Sequence, residues 1–238
     1  MALDFEGELA DPERGLVVDR DADAAVALVA FGGISGGLAM PPFEFFTLAK
    51  GIPATKIFIR DLDQAWYQRG VRGLGSSITA ATDGLRSLLA EVGADRVVGF
   101  GNSAGGFGAI LFGHLVGFDE VHAFAPQTFI DRARRIRYRD RRWPQPIHDL
   151  RAHPPAEQVY DVQPLCLGPS GPAVHVYVAA DTRLDEVHAE RLRSGERVVM
   201  HHYESGGHGV IRELRDSNEL DRIIRTALAG TDDQDGHA

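Results

Sequence analysis

The 238-residue chain has a single cysteine, Cys166. One thiol excludes an intramolecular disulfide and a zinc site of the multi-cysteine kind. A small buried hydrophobe is the expected role for it. Basic residues are not in excess: 25 Lys+Arg stand against 34 Asp+Glu, a formal net charge of -9. That balance excludes general affinity for nucleic acid or an anionic membrane. No apolar run approaches the roughly 20 residues needed to span a bilayer. The first eight residues carry acids and no basic segment ahead of an apolar stretch, so they do not read as a signal peptide. A cytoplasmic location follows as the expectation. There is no His-Glu-x-x-His pattern and no glycine-rich phosphate loop. No metal, no nucleotide and no other cofactor is therefore predicted. His201 and His202 are neighbours on one strand, so their side chains should face opposite ways and not share a metal.

What is present is ordinary for a globular protein: 44% hydrophobic and 25% charged residues. The length suits one domain with a substantial core. Apolar runs recur along the chain. Ala24 to Phe31 is continuous, with no alternation, as befits a strand buried on both faces. Thr55 to Ile59, Val97 to Phe100, Val121 to Ala125, Val174 to Val178 and Arg197 to His202 are further strands, with Leu16 to Val18 a short edge strand. Helical spacing fills the gaps. Phe43 to Lys50 predicts a short helix, and Ser76 to Val92 an amphipathic one closed by Gly93. Ala104 to Leu115 is a third, and terminal helices break near Ser217-Asn218.

Strand alternating with helix predicts an α/β fold: a single domain over residues 1–230, with a mostly parallel sheet and helices on both faces. Residues 127–173 show no clear strand and read as a cap-like insertion of loop and helix. Seven arginines (Arg132, Arg134, Arg135, Arg137, Arg139, Arg141 and Arg142) form a basic island there. Guanidinium groups suit an anionic substrate or carrier. A solvated face paired with the surplus acids is the plainer reading. Residues 231–238 are expected to be a disordered tail.

One stretch carries chemistry. The strand ending at Phe100 runs into Gly101-Asn102-Ser103-Ala104-Gly105, a Gly-x-Ser-x-Gly pentapeptide, and a helix of small residues starts at once. Strand, sharp turn and helix expose a serine hydroxyl at the rim of a sheet. Three more features fall at predicted strand ends: the Gly32-Gly33 loop, the Asp181/Asp185 pair, and His208 inside Ser-Gly-Gly-His-Gly. On these residues the chain resembles a compact α/β-hydrolase of the bacterial serine esterase kind, from about Ala24 to Leu228.

The resemblance implies Ser103 as nucleophile, His208 as general base, and an aspartate that orients the histidine. It implies an oxyanion hole from the Ala104 amide and that of Gly33 or Gly32. Asp181 lies at the usual place for the acid. Similar small hydrolases carry an Asp-x-x-His-Ala segment, which points to Asp185; both stay candidates. Trp66, Asn102 and Arg135 are candidates for substrate contact, with Tyr67 beside Trp66. The implied activity is cleavage of an ester, thioester or activated amide through an acyl-enzyme on a small-molecule acyl substrate, free or carrier-bound. Acyl transfer to a sugar or carrier by the same residues is one alternative. A non-catalytic binding protein on the same fold is another.

Overall fold

Seven strands form one sheet in the computed structural model, which describes Asp11, residues 13–34, Phe45, Ala49 and residues 51–230. The strands are β1 (Leu16–Asp19), β2 (Val26–Phe31), β3 (Thr55–Ile59), β4 (Arg96–Asn102), β5 (Glu120–Phe124), β6 (Ala173–Ala179) and β7 (Val198–Tyr203). Their order is β1-β3-β2-β4-β5-β6-β7, parallel throughout except that β1 runs antiparallel to β3 at the edge. The helices are α1 (Ile78–Val92), α2 (Ala104–Phe112), α3 (Arg132–Tyr138), α4 (Pro144–Ala152), α5 (Gln163–Cys166), α6 (Arg183–Glu190), α7 (Val210–Asp216) and α8 (Glu219–Ala229).

The unbroken apolar run of β2 has its cause in the packing. Val29 belongs to a core with Ile57, Leu85, Phe107 and Ile110 on one face of the sheet. Its neighbours Leu28 and Ala30 point to the other face, against Phe58, Phe100, Ile211, Leu214 and Ile224. A strand covered by helices on both sides can spare no position for a polar side chain.

Local signals place the helix ends. Ser77 caps α1, accepting from the Ala80 N–H, and Gly93 closes it with φ 69°. The α2 helix stops at Phe112, short of the predicted Leu115, because a single π-turn over Gly113–Gly117 takes over. Asn218, with φ 61°, separates α7 from α8. Of the predicted helix at residues 43–50, only Phe45 and Ala49 are described, both helical and buried. Residues 231–238 lie outside the described residues.

Strand order fixes where a site can form. From β2 the chain steps to β3 on one side, then crosses back to β4 on the other. Loops leaving β2 and β4 therefore diverge, and a crevice opens between their C-terminal ends. Phe31 pairs with Gly101 in register, so Gly32-Gly33 runs beside Asn102-Ser103 at that crevice.

Candidate active site

Ser103 stands at the turn between β4 and α2 with φ 57° and ψ -117°. For a residue with a Cβ this conformation is strained by about 1–3 kcal/mol. Surrounding contacts hold it. The Ser103 N–H donates to the Phe124 carbonyl at 2.9 Å, and the Gln127 N–H donates to the Ser103 carbonyl at 3.0 Å. Two glycines are needed for close approach: a Cβ on Gly101 would overlap the Gly105 carbonyl, and one on Gly105 would overlap that of Phe31. The whole of α2 is buried, so its first turn packs directly under the crevice.

His208 follows β7 in a single 3-10 turn. Its Nε2 lies 2.9 Å from Ser103 Oγ, and its Nδ1 lies 2.9 Å from Asp185 Oδ2. Asp185 opens α6 with its side chain 0% exposed. Asp181 is not on this line. Its carboxylate accepts the backbone N–H groups of Gly206 at 3.2 Å and Gly207 at 2.9 Å. It thus braces the loop that carries His208, where both glycines have positive φ.

The other oxygen of Asp185, Oδ1, accepts from Arg142 Nη1 at 2.7 Å. Burial pushes the Asp185 carboxyl up, but His208 and Arg142 outweigh it and hold it below the usual carboxylate value. The rest of the Arg142 guanidinium grips Asp140: Nε to Oδ1 at 3.1 Å and Nη2 to Oδ2 at 2.9 Å. Asp140 Oδ2 also lies 3.0 Å from His188 Nε2. Burial would raise the Asp140 carboxyl, yet the His188 and Arg142 hydrogen bonds hold it well below its ordinary value. His188 Nδ1 accepts the Thr128 backbone N–H at 2.9 Å, so its proton belongs on Nε2, facing Asp140. Thr128 follows Gln127, whose amide binds the Ser103 carbonyl. The hydrogen bonds leave the serine hydroxyl and return to the serine carbonyl.

Burial pushes the His188 ring down to about 4. A histidine depressed from its ordinary 6.5 adds stability above that value and loses it as pH falls towards 4. Glutamine keeps one acceptor and one donor without titrating. The advantage of wild type over His188→Gln at pH 7.5 is therefore expected to shrink by about 3 kcal/mol by pH 4. Urea unfolding of both proteins across that range measures it.

The Gly32-Gly33 loop is more constrained than the sequence suggests. Gly32 N–H, a candidate oxyanion donor, instead donates to the Ile59 carbonyl at 2.8 Å and extends the β2–β3 ladder. The Gly32 carbonyl accepts the Tyr67 hydroxyl at 2.6 Å. Because a peptide is planar and trans, the Gly33 N–H is then held on the opposite edge of the same unit. Gly33 itself packs beside the Asn102 carbonyl. Tyr67 sits in a turn with Gln64 and Trp66, all at positive φ, fixed by Asp61 Oδ2 accepting from the Ala65 and Tyr67 amides at 2.7 and 2.9 Å. Burial raises the Asp61 carboxyl to about 6.

Two expected substrate contacts are corrected. Trp66 is 0% exposed and donates its indole N–H to Gln127 Oε1 at 2.7 Å, so it props the turn after β5. Arg135 reaches the Arg142 carbonyl at 2.6 Å and lies 3.9 Å from Asp140, with its side chain 10% exposed. It serves the interior. Asn102 ends β4 half-buried. The basic island divides: Arg135 and Arg142 turn inward, Arg134 pairs with Asp131 and Asp161, and Arg132, Arg137, Arg139 and Arg141 are exposed. Cys166 is buried, its thiol pushed up to about 12. His201 meets His175 across the sheet at 3.0 Å while His202 reaches Glu190 at 3.2 Å, on opposite faces.

Sequence reasoning missed Asp140, His188 and Thr128, and read Arg142 only as part of a run. One signal was available: Asp185 and His188 are three apart on one helix and so share a face. Among the described residues no helix is long and apolar enough to cross a membrane.

No protein-family model matches the chain, and no curated protein matches it in sequence. Solved structures do match in shape. The capsule O-acetyltransferase of Neisseria meningitidis serogroup A superposes with a TM-score of 0.61 at 14% identity, covering 89% of this chain and 91% of that one. An α/β-hydrolase enzyme, MGS-M2 from a Medee basin deep-sea metagenome library, gives 0.59 at 11% identity over 91% and 94%. Acetyl xylan esterase 1 from Thermoanaerobacterium sp. gives 0.55 at 16% over 85% and 74%. With the strand order, the crevice and the loops described above, these likenesses assign the chain to the α/β-hydrolase fold.

Proposed function

We propose that the protein is a serine hydrolase that cleaves an ester, thioester or activated amide through an acyl-enzyme on Ser103. The observation that carries this is the unbroken line Ser103 Oγ–His208 Nε2 and His208 Nδ1–Asp185 Oδ2, both 2.9 Å. In this reading Ser103 Oγ attacks the substrate carbonyl carbon as its proton passes to His208 Nε2. Asp185 holds the ring in the required tautomer and stabilises the imidazolium that forms. The oxyanion meets two amides. Ala104 is the first residue of α2, where an N–H has no partner within the helix. Gly33 supplies the second. The tetrahedral intermediate then collapses, His208 protonates the leaving group, and water repeats the sequence on the acyl-enzyme.

A fluorophosphonate probe tests this directly. Wild type is expected to be labelled and Ser103→Ala not; equal labelling of both removes Ser103 as nucleophile. Absence of both labelling and turnover of short aryl esters would favour a binding protein on this fold.

The clamp on the Gly32-Gly33 peptide gives a finer expectation. Tyr67→Phe loses the hydroxyl that holds the Gly32 carbonyl, so the Gly33 N–H is no longer fixed. The turnover number should fall about tenfold, less than the loss of a whole oxyanion donor, with KM near that of wild type. Steady-state kinetics on an aryl ester read the split.

A second reading is acyl transfer to an acceptor other than water. It is favoured by the exposed Arg137, Arg139 and Arg141, which suit an acidic carrier or polymer. The O-acetyltransferase among the structural matches is compatible with it through the fold alone. Neutralising those three arginines should weaken transfer to an anionic acceptor while leaving hydrolysis of a neutral aryl ester intact. Equal transfer before and after would count against it.

A further inference from the structure

The proposed mechanism gives the half-buried guanidinium of Arg142 nothing to do. We propose that Arg142 is a positioning residue for Asp185: it fixes the plane in which the carboxylate faces His208 and, balanced by Asp140, sets how much negative charge reaches the imidazole. The proposal deepens the acyl-enzyme reading and rests on it.

Two features of the geometry carry it. The first is orientation. A carboxylate with one partner can swing about its Cβ–Cγ bond. Asp185 is held at both ends, because Oδ1 accepts from Arg142 Nη1 while Oδ2 faces His208, so the plane of the carboxylate is fixed. The same planar fork reaches Asp140 through Nε and Nη2, so its own direction is fixed as well. A lysine has the charge but not the fork. Arg142 is further held through its backbone, since its N–H donates to Asp140 Oδ1 at 2.9 Å and its carbonyl accepts from Arg135.

The second is charge. The side chains of Asp185 and Asp140 are 0% and 2% exposed. Arg142 touches both. On Asp185 its charge draws electron density away from the imidazole; Asp140, on the other arm of the fork, offsets that pull. The remaining charged and titratable neighbours are Arg135 beside Asp140, His188 on α6, His208 itself, and Asp181 on the amides of its loop. Removing Arg142 and removing the charge of Asp140 should therefore act on His208 with opposite signs.

The test compares wild type, Arg142→Met, Asp140→Asn, the double variant and Arg142→Lys. The readouts are the pH dependence of fluorophosphonate labelling and of p-nitrophenyl acetate hydrolysis, with thermal melting as a check on folding. Arg142→Met should lower kcat about a hundredfold with KM little changed, and move the acid limb to higher pH. Asp140→Asn should move that limb to lower pH. The double variant, which removes the pair together, should bring the limb back towards wild type and recover about tenfold of the lost rate, leaving the roughly tenfold deficit that the missing fork costs. Arg142→Lys should keep the limb in place but lose about tenfold in kcat, because the charge stays and the fork does not.

Limbs that move the same way, or not at all, overturn the proposal, as does a double variant no better than Arg142→Met. If Arg142→Met does not fold, Asp140→Asn and Arg142→Lys decide: an unmoved limb in the first, or a wild-type rate in the second, overturns it. Wild-type protein without Ser103-dependent labelling would instead remove the acyl-enzyme reading beneath.

Discussion

Ser103→Ala is expected to lower turnover by about a million-fold, to the level that binding and oxyanion donors alone sustain. Under the proposed acyl-enzyme mechanism, the size of the effect follows from the unit in which Ser103 works. Without the hydroxyl, His208 has no proton to take and Asp185 no imidazolium to stabilise, so three residues fall silent together. Stability should hardly change. Ser103 is held at φ 57°, and alanine carries the same Cβ in the same strained turn. Ser103→Gly should also abolish turnover but relieve that strain, raising stability by about 1 kcal/mol. Single-turnover kinetics and thermal melting of the two variants separate chemistry from folding. Residual turnover within tenfold of wild type would sink the assignment.

The second large effect discriminates between two aspartates. Asp185→Asn should cost about ten-thousand-fold in turnover, with substrate binding little altered. Asparagine can offer its amide N–H to His208 Nδ1 and so favour the tautomer that cannot accept the serine proton. It also leaves Arg142 without the anion at Oδ1 that it now pairs with. Asp181→Asn should stay within about tenfold of wild type, because the asparagine oxygen can still accept one of the two loop amides. Measuring kcat/KM for both on one aryl ester gives the answer, and the reverse ranking would make Asp181 the acid.

The two aspartates mark the boundary of what the chain discloses before it is folded. Long apolar runs such as Ala24 to Phe31 announce buried strands because every position faces a core, and the Gly-x-Ser-x-Gly turn announces itself because only glycine allows the backbones to meet. Strand order could not be read off in the same way, yet it is strand order that sets Gly32-Gly33 beside Ser103. Which of the two amides is left for a ligand depends on the β2–β3 register, where Gly32 is consumed by Ile59. The basic island shows the same limit. Seven arginines in one stretch look alike in sequence, and only tertiary contact separates Arg142, on two buried carboxylates, from exposed Arg137. A polar network joining residues 128, 140, 142, 185 and 188 has no period, so no pattern of hydropathy reveals it.

The segment between β5 and β6 illustrates how far a fold can be treated as interchangeable parts. Exchanging such a segment for one from another chain of the same fold assumes that the residues beside Ser103 stay behind. Here the graft would carry away Thr128, Asp140 and Arg142, and with them the salt bridge to Asp185 and the hydrogen bond to His188. The modular boundary drawn by sequence does not coincide with the boundary drawn by electrostatics. A chimaera that respects the second would keep the host's residues 127–128 and 140–142 and exchange only what lies outside them.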